Sequence, residues 1–128
     1  MEMEEDNTKT VIALISHDGK KPDMIAFAHR NKSKLSGSPL IATNSTGKML
    51  IDHVGLKIEL LLSGPYGGDA QIAARVATGS VKAVLFFVDP LNAHPHDPDI
   101  QGLLRVCNVH NVPLATNVAT AELVLKGL

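Results

Sequence analysis

Hydrophobic and polar positions fall along the chain in alternating blocks. Val11-Ile12-Ala13-Leu14-Ile15 is continuous, apolar and rich in β-branched residues, the pattern of a strand covered on both faces. A helix is predicted from about Pro22, with Met24, Phe27 and Ala28 at i, i+3 and i+4. Proline suits the first helical turn, whose N–H groups have no intrahelical partner. Leu40-Ile41-Ala42 reads as a short second strand, and Lys48 to Val54 as a helix closed by Gly55. Leu56 to Leu62 reads as a third strand. There Lys57 and Glu59 alternate with Leu56, Ile58 and Leu60, as at a half-exposed sheet edge. Asp69 opens a helix carrying Ile72, Ala73 and Val76 and ending near Gly79. Val81 to Val88 is the most hydrophobic strand. Pro98 starts a fourth helix with Asp97 as N-cap, and Ile100, Leu103, Leu104 and Cys107 form one apolar stripe along it. Val112 to Ala115 is a fifth strand, and Ala121, Val124, Leu125 and Leu128 mark a last helix.

Five strand–helix units predict an α/β fold: a three-layer α/β/α arrangement around a five-stranded, mainly parallel sheet with helices on both faces. The edge-like third strand and the fully apolar first and fourth strands suggest the order 3-2-1-4-5. The size prior makes residues 10–128 one domain. Residues 1–9 are polar and acidic and read as a flexible extension.

Composition narrows the functions this fold can serve. The 128 residues carry 12 Lys and Arg against 13 Asp and Glu, which argues against a dedicated nucleic-acid or membrane-surface binder. Four of the acids (Glu2, Glu4, Glu5, Asp6) but one base (Lys9) precede position 11. The remainder is therefore about +2, and a small anion is not repelled. Aromatics are 3% with no Trp, too few for a base-stacking platform. The single Cys107 excludes an intrachain disulfide and suits a reducing, cytoplasmic setting; its place on an apolar helix stripe reads as core. No apolar run reaches the ~20 residues of a spanning helix, and the acidic start is unlike a signal peptide.

In open parallel sheets ligands bind beyond the carboxyl ends of the strands. The unusual chemistry of this chain lies in those loops: Ser16-His17-Asp18-Gly19-Lys20-Lys21, Thr43-Asn44-Ser45-Thr46-Gly47, Ser63-Gly64-Pro65-Tyr66-Gly67-Gly68-Asp69, the stretch Asp89 to Asp99, and Thr116-Asn117. Thr43 to Gly47 offers three hydroxyls before a helix, whose free N–H groups and dipole favour anions. Ser63-Gly64 adds a hydroxyl and a residue that lets backbone approach closely, and Lys21 can supply a cation. Ser and Thr before a helix serve equally as caps, but two such loops on one sheet edge favour a phosphate site. The chain has no GxGxxG and no Gly-Lys-Ser/Thr loop, which disfavours a dinucleotide or nucleoside triphosphate. His17, Asp69, His96 and Asp99 are the acid–base candidates, although Asp69 alone also reads as a helix cap. His94-Pro95-His96-Asp97-Pro98-Asp99 has some character of a metal site. It lacks the Cys ligands and helical His spacing of zinc signatures, so no metal is expected.

Together these loops resemble the methylglyoxal synthase family. Ser-Gly-Pro-Tyr-Gly-Gly-Asp at 63–69, Asp-Pro-Leu-Asn-Ala-His-Pro-His-Asp-Pro-Asp at 89–99 and Val-Pro-Leu-Ala-Thr-Asn at 112–117 carry the resemblance, which covers about residues 10–128. It implies conversion of dihydroxyacetone phosphate to methylglyoxal and inorganic phosphate, with no metal or organic cofactor. It also implies inhibition by phosphate and a homohexamer. By this resemblance Asp69 is the catalytic carboxylate, with His96 and Asp99 in the catalytic set and Asp18 and Asp89 as supporting acids. His17, Lys21 and His96 then bind substrate, and Thr43, Asn44, Ser45, Thr46, Ser63 and Gly64 form the phosphate cradle. Asn44 and Ser45 stand where the family commonly has Gly and Thr. Ser45 keeps the hydroxyl, and Asn tolerates positive φ better than most residues. The rival reading is a non-catalytic phospholigand-sensing module, resembling the effector domain of carbamoyl-phosphate synthetase. That reading predicts phosphate binding without Asp69, His96 and Asp99 together.

Overall fold

The structure is a computed structural model that describes the backbone of residues 9–92 and 97–128 and, within the second range, side chains from residue 100 onward. Its elements run β1 (Val11–Ser16), α1 (Lys21–Arg30), α2 (Lys32–Ser36), β2 (Leu40–Ala42), α3 (Asn44–Val54), β3 (Glu59–Leu60), α4 (Gly68–Ala77), β4 (Val81–Phe87), α5 (Asp97–Val109), β5 (Leu114–Ala115) and α6 (Val118–Gly127). Short 3-10 turns at Asp18–Lys20 and Gly64–Tyr66 precede α1 and α4. The strands form one sheet in the order β3-β2-β1-β4-β5, and every adjacent pair is parallel.

Period-two alternation in β1 sorts the core into two layers. Ile12 and Leu14 face Met24, Phe27, Leu35, Leu50, Val54 and Leu125, from α1, α2, α3 and α6. Ala13 and Ile15 face Ile72, Val76, Leu103 and Cys107, from α4 and α5. Both faces of β1 and β4 are therefore buried, which is why their sequences are apolar apart from Ser16 at the end of β1 and half-buried Lys82 near the start of β4. The expected stripe on α5 is split: Leu103 and Cys107 are buried, whereas Leu104 is exposed.

Several boundaries differ from the sequence expectation. The third strand is two residues rather than Leu56 to Leu62. β2 offers it only Ile41 and Ala42 as partners, and both of its residues are exposed, so Leu60 breaks the expected alternation. Leu56 and Leu61 still reach the core from the flanking chain, one in each layer. The helix expected from Lys48 begins at Asn44, because extended Thr43 is its N-cap and the Gly47 N–H already donates to the Thr43 carbonyl at 2.8 Å. The segment expected as a loop before the helix is thus its first turn. Gly47 allows this approach: a Cβ there would lie 2.3 Å from the Leu60 side chain and 3.2 Å from Ala42 Cβ. α2 has no counterpart in the expectation. The fifth strand is Leu114–Ala115, and Asp97, expected as an N-cap, is the first residue of α5.

Burial pushes the Cys107 thiol up from its ordinary 9.0 to about 11. Because the folded value lies above the unfolded one, the thiol's contribution to stability is full below pH 9 and is lost as pH rises towards 11. Native protein at pH 8 should resist iodoacetamide at Cys107, and urea-unfolded protein should react with it fully. Comparable labelling rates in the two states would place the thiol outside the core.

Candidate active site

The carboxyl end of β1 divides its side chains between the two faces. Ser16 continues the Ile12–Leu14 side and meets α3. Its backbone N–H donates to Thr46 Oγ1 at 3.2 Å, and the two hydroxyl oxygens lie 3.0 Å apart. His17, on the other side, is buried and sits edge-on to Phe86 with ring centroids 5.2 Å apart. Its backbone N–H extends the β1–β4 ladder by donating to the Phe87 carbonyl at 3.1 Å. Its Nδ1 accepts the backbone N–H of Asp89 at 2.9 Å. A ring nitrogen that accepts an N–H carries no proton, so His17 is the neutral tautomer protonated on Nε2.

Asp89 is itself held. Its carboxylate accepts from the Leu91 N–H at 3.1 Å and from Asn92 Nδ2 at 2.6 Å. Gly19 leaves room for it, since a Cβ at position 19 would lie 2.3 Å from Asp89 Oδ2. After the 3-10 turn, Lys21 reaches back to pair with Asp18. The lysine side chain is 19% exposed and the aspartate 98% exposed. Such a pair contributes little to stability, and an anion can take the aspartate's place.

A partly open cavity of about 120 Å³ lies where β1, β2 and β3 end. Ser16, His17, Asp18 and Lys21 form one wall, Thr43 and Ser45 a second, and Ser63, Gly64 and Pro65 a third. It is well below the roughly 300–1,000 Å³ of drug-sized sites, so its ligand is small. Thr43 and Ser63 are N-cap residues, yet neither side chain makes a capping bond. Their hydroxyls are therefore not committed to capping. The positive end of α3 lies at this wall.

Asp69 sits in the first turn of α4 and is 1% exposed. The N-cap is Gly67, whose φ of +100° suits glycine, so Asp69 is not the N-cap residue. Its Oδ1 accepts the Ala70 N–H at 3.0 Å. Gly68 presses this turn against the cavity wall: a Cβ there would lie 1.8 Å from the Leu62 carbonyl oxygen and 3.0 Å from Thr43 Cγ2. Asp69 is thus one residue from a backbone packed on Thr43, although it does not itself line the cavity.

Of the expected site residues, His17, Lys21, Thr43, Ser45, Ser63 and Gly64 meet at this cavity. Asn44 and Thr46 do not line it; Thr46 is fully buried and bonded to Ser16. His96 and the side chain of Asp99 lie outside the described residues, as does the cluster weighed as a metal site. Among the described residues no group of three or more His, Cys, Asp or Glu could hold a metal ion. Sequence reasoning did not single out Ser16, a hydroxyl on the buried face at a strand end. A larger cavity of about 450 Å³ lies by β4 and β5, lined largely by Phe86, Phe87, Val88, Ile100, Leu104 and Leu114, and includes none of the expected site residues.

A wholly parallel sheet in the order 3-2-1-4-5, with a small polar cavity at its carboxyl edge, defines an α/β domain of the class whose ligand sites lie beyond the strand ends. Residues 23–116 match the family model described as MGS-like domain, and the chain belongs to that family. It is 58% identical over 120 residues to a methylglyoxal synthase of Cupriavidus taiwanensis, covering 94% of this chain and 90% of the relative. It is 56% identical over 117 residues to one of Thermus thermophilus, covering 91% and 93%. The crystal structure of methylglyoxal synthase from Elizabethkingia anophelis superposes with a TM-score of 0.86 at 39% identity, over 92% of this chain and 78% of that one.

Two glycine substitutions test how the Asp69 turn is seated. Gly68→Ala should lower stability by about 1–3 kcal/mol or more, the cost of overpacking against fixed backbone. Gly102→Ala, in α5 with nothing within 4 Å of the new Cβ, should raise it by about 0.4–1 kcal/mol. Urea unfolding measures both, and a neutral Gly68→Ala would mean α4 does not press on Leu62 and Thr43.

Proposed function

We propose that this chain converts dihydroxyacetone phosphate to methylglyoxal and inorganic phosphate through an enediolate. The observation that carries the reading is a small cavity lined by Lys21, Thr43, Ser45, Ser63 and Gly64, beside a helix turn that buries the carboxylate of Asp69. The relatives' shared activity supports it. No feature favours the phospholigand-sensing alternative.

The chemistry runs as follows. The substrate's phosphate occupies the cradle, paired with Lys21 and hydrogen-bonded by the hydroxyls of Thr43, Ser45 and Ser63, with Asn44, Thr46 and Gly64 shaping its backbone. Asp69 takes a proton from the hydroxymethyl carbon next to the carbonyl. The electron pair left behind forms the carbon–carbon double bond of the enediolate, and its negative charge falls on the carbonyl oxygen. The Nε2–H tautomer of His17, together with His96, hydrogen-bonds the substrate oxygens and stabilises that charge. As the hydroxyl on the deprotonated carbon gives up its proton and becomes the aldehyde, the enediolate electrons expel phosphate by breaking its carbon–oxygen bond. The enolate that remains is protonated on its terminal carbon to become methylglyoxal. Elimination needs that bond perpendicular to the enediolate plane, where it overlaps the π system. The cradle's task is therefore to hold phosphate out of plane. Asp99, Asp89 and Asp18 support the catalytic set. Released phosphate fits the same cradle, so it inhibits. No step calls on a metal ion or organic cofactor.

The substrate is a charged ester that does not cross membranes unaided, which supports a cytoplasmic protein working beside its supply. The domain responsible spans residues 10–128. It assembles as a homohexamer, a reading that rests on the family resemblance and on closed symmetry being the norm for oligomers.

Turnover of dihydroxyacetone phosphate to methylglyoxal, in the presence of EDTA, tests the reading in the parent protein. Asp69→Asn keeps the size and the oxygen that accepts the Ala70 N–H but cannot take the substrate proton. Its turnover should fall by at least about 10²-fold while calorimetric phosphate affinity is kept. Turnover within about threefold of the parent would remove Asp69 as the base. Light scattering should give six times the 13.6 kDa chain mass; a single-chain mass at micromolar concentration would contradict the hexamer.

A further inference from the structure

Thr46 and Ser16 are joined by contacts that phosphate binding by Thr46 does not explain. Thr46 is fully buried, Ser16 is 6% exposed, and they are 30 positions apart in sequence. Thr46 Oγ1 receives the Ser16 backbone N–H at 3.2 Å. Its own proton has two acceptors within reach, Ser16 Oγ at 3.0 Å and the Ser16 carbonyl at 3.4 Å. The shorter contact is the stronger one. When Thr46 donates to Ser16 Oγ, the proton of Ser16 is left to point elsewhere, and Ser16 lines the cavity.

We propose that Ser16 is an additional ligand-binding residue of this site, donating its hydroxyl proton to an oxygen of the bound phosphate group through a relay that runs from its own backbone N–H by way of Thr46 Oγ1. The inference rests on the phosphate-ester reading of the cavity. The relay gives Thr46 a defined role that its burial otherwise obscures: it polarises the donor that faces the ligand. Hydrogen bonds in such a chain strengthen one another, and a bond to a charged oxygen is stronger than a neutral one. An anion in the cavity also selects the polarity, because the opposite one would turn a hydroxyl lone pair of Ser16 towards negative charge. The relay further ties the first turn of α3 to the end of β1, so the second wall is set relative to the first.

Ser16→Ala isolates the donor. It leaves the backbone N–H on Thr46 and leaves Thr46 the Ser16 carbonyl as acceptor, so no buried hydroxyl is stranded. Inorganic phosphate binding, measured by calorimetry, should weaken about tenfold or more, as for loss of a hydrogen bond to a charged group. KM for dihydroxyacetone phosphate should rise by a similar factor, with the loss appearing in KM more than in kcat. The urea midpoint should move little. Thr46→Val breaks the relay from the other side, and the double variant should bind phosphate no more weakly than the weaker single variant.

Phosphate affinity of Ser16→Ala within twofold of the parent would overturn the proposal, as would a double variant whose loss is the product of the single losses. A parent that makes methylglyoxal beside an unaffected Ser16→Ala overturns this inference alone. A parent that binds phosphate through Ser16 but makes no methylglyoxal overturns the functional reading and supports the inference. A parent that binds no phosphate overturns both.

Discussion

The hydrogen bond from the Asp89 N–H to His17 Nδ1 is the constraint on which the rest of the site depends. It crosses between β1 and β4, where connections leave the sheet in opposite directions and open a crevice. The ladder between these strands ends with the His17 N–H on Phe87, and the imidazole adds one more rung from its side chain. This rung fixes where the ring sits, which way it turns and which nitrogen carries the proton. A neutral donor can stabilise developing negative charge without first having to lose a proton.

From that fixed ring the other walls follow by packing. Ser16 points to the opposite face simply because strand side chains alternate, and there it grips Thr46 and sets the start of α3. Gly47 brings α3 down onto the short β2–β3 edge, and Gly68 brings α4 against Leu62 and Thr43. The site is therefore assembled by close backbone approaches at positions where any Cβ would collide. Asp69 inherits its burial from this seating. Lys21 is held by exposed Asp18, a weak partner that contributes little to stability.

Much of this was legible in the sequence. The order 3-2-1-4-5 was suggested by burial: strands covered on both faces are mostly apolar, and Lys57 and Glu59 mark the edge. His17, Lys21, Thr43, Ser45, Ser63 and Gly64 share the carboxyl edge because parallel topology brings every such loop to one side. The start of α3 was not legible, because Thr43-Asn44-Ser45-Thr46-Gly47 has weak helix propensity and is held helical by contacts with Leu60 and Ala42. The short third strand depends on the length of β2, which no local pattern in Leu56–Leu62 reports. The use of Thr46 by Ser16 depends on a contact made only in the folded chain, so a hydroxyl expected in the cradle lies behind it.

The most direct test of this account is nitrogen-15 NMR of the His17 ring at pH 7, with the signal assigned by its absence from a His17→Gln variant. The account predicts a neutral imidazole with the proton on Nε2 and an unprotonated, hydrogen-bonded Nδ1, unchanged when phosphate is added. A proton on Nδ1, or an imidazolium carrying both, would contradict it, because the Asp89 N–H would then have no acceptor on the ring and the rung between β1 and β4 would be lost.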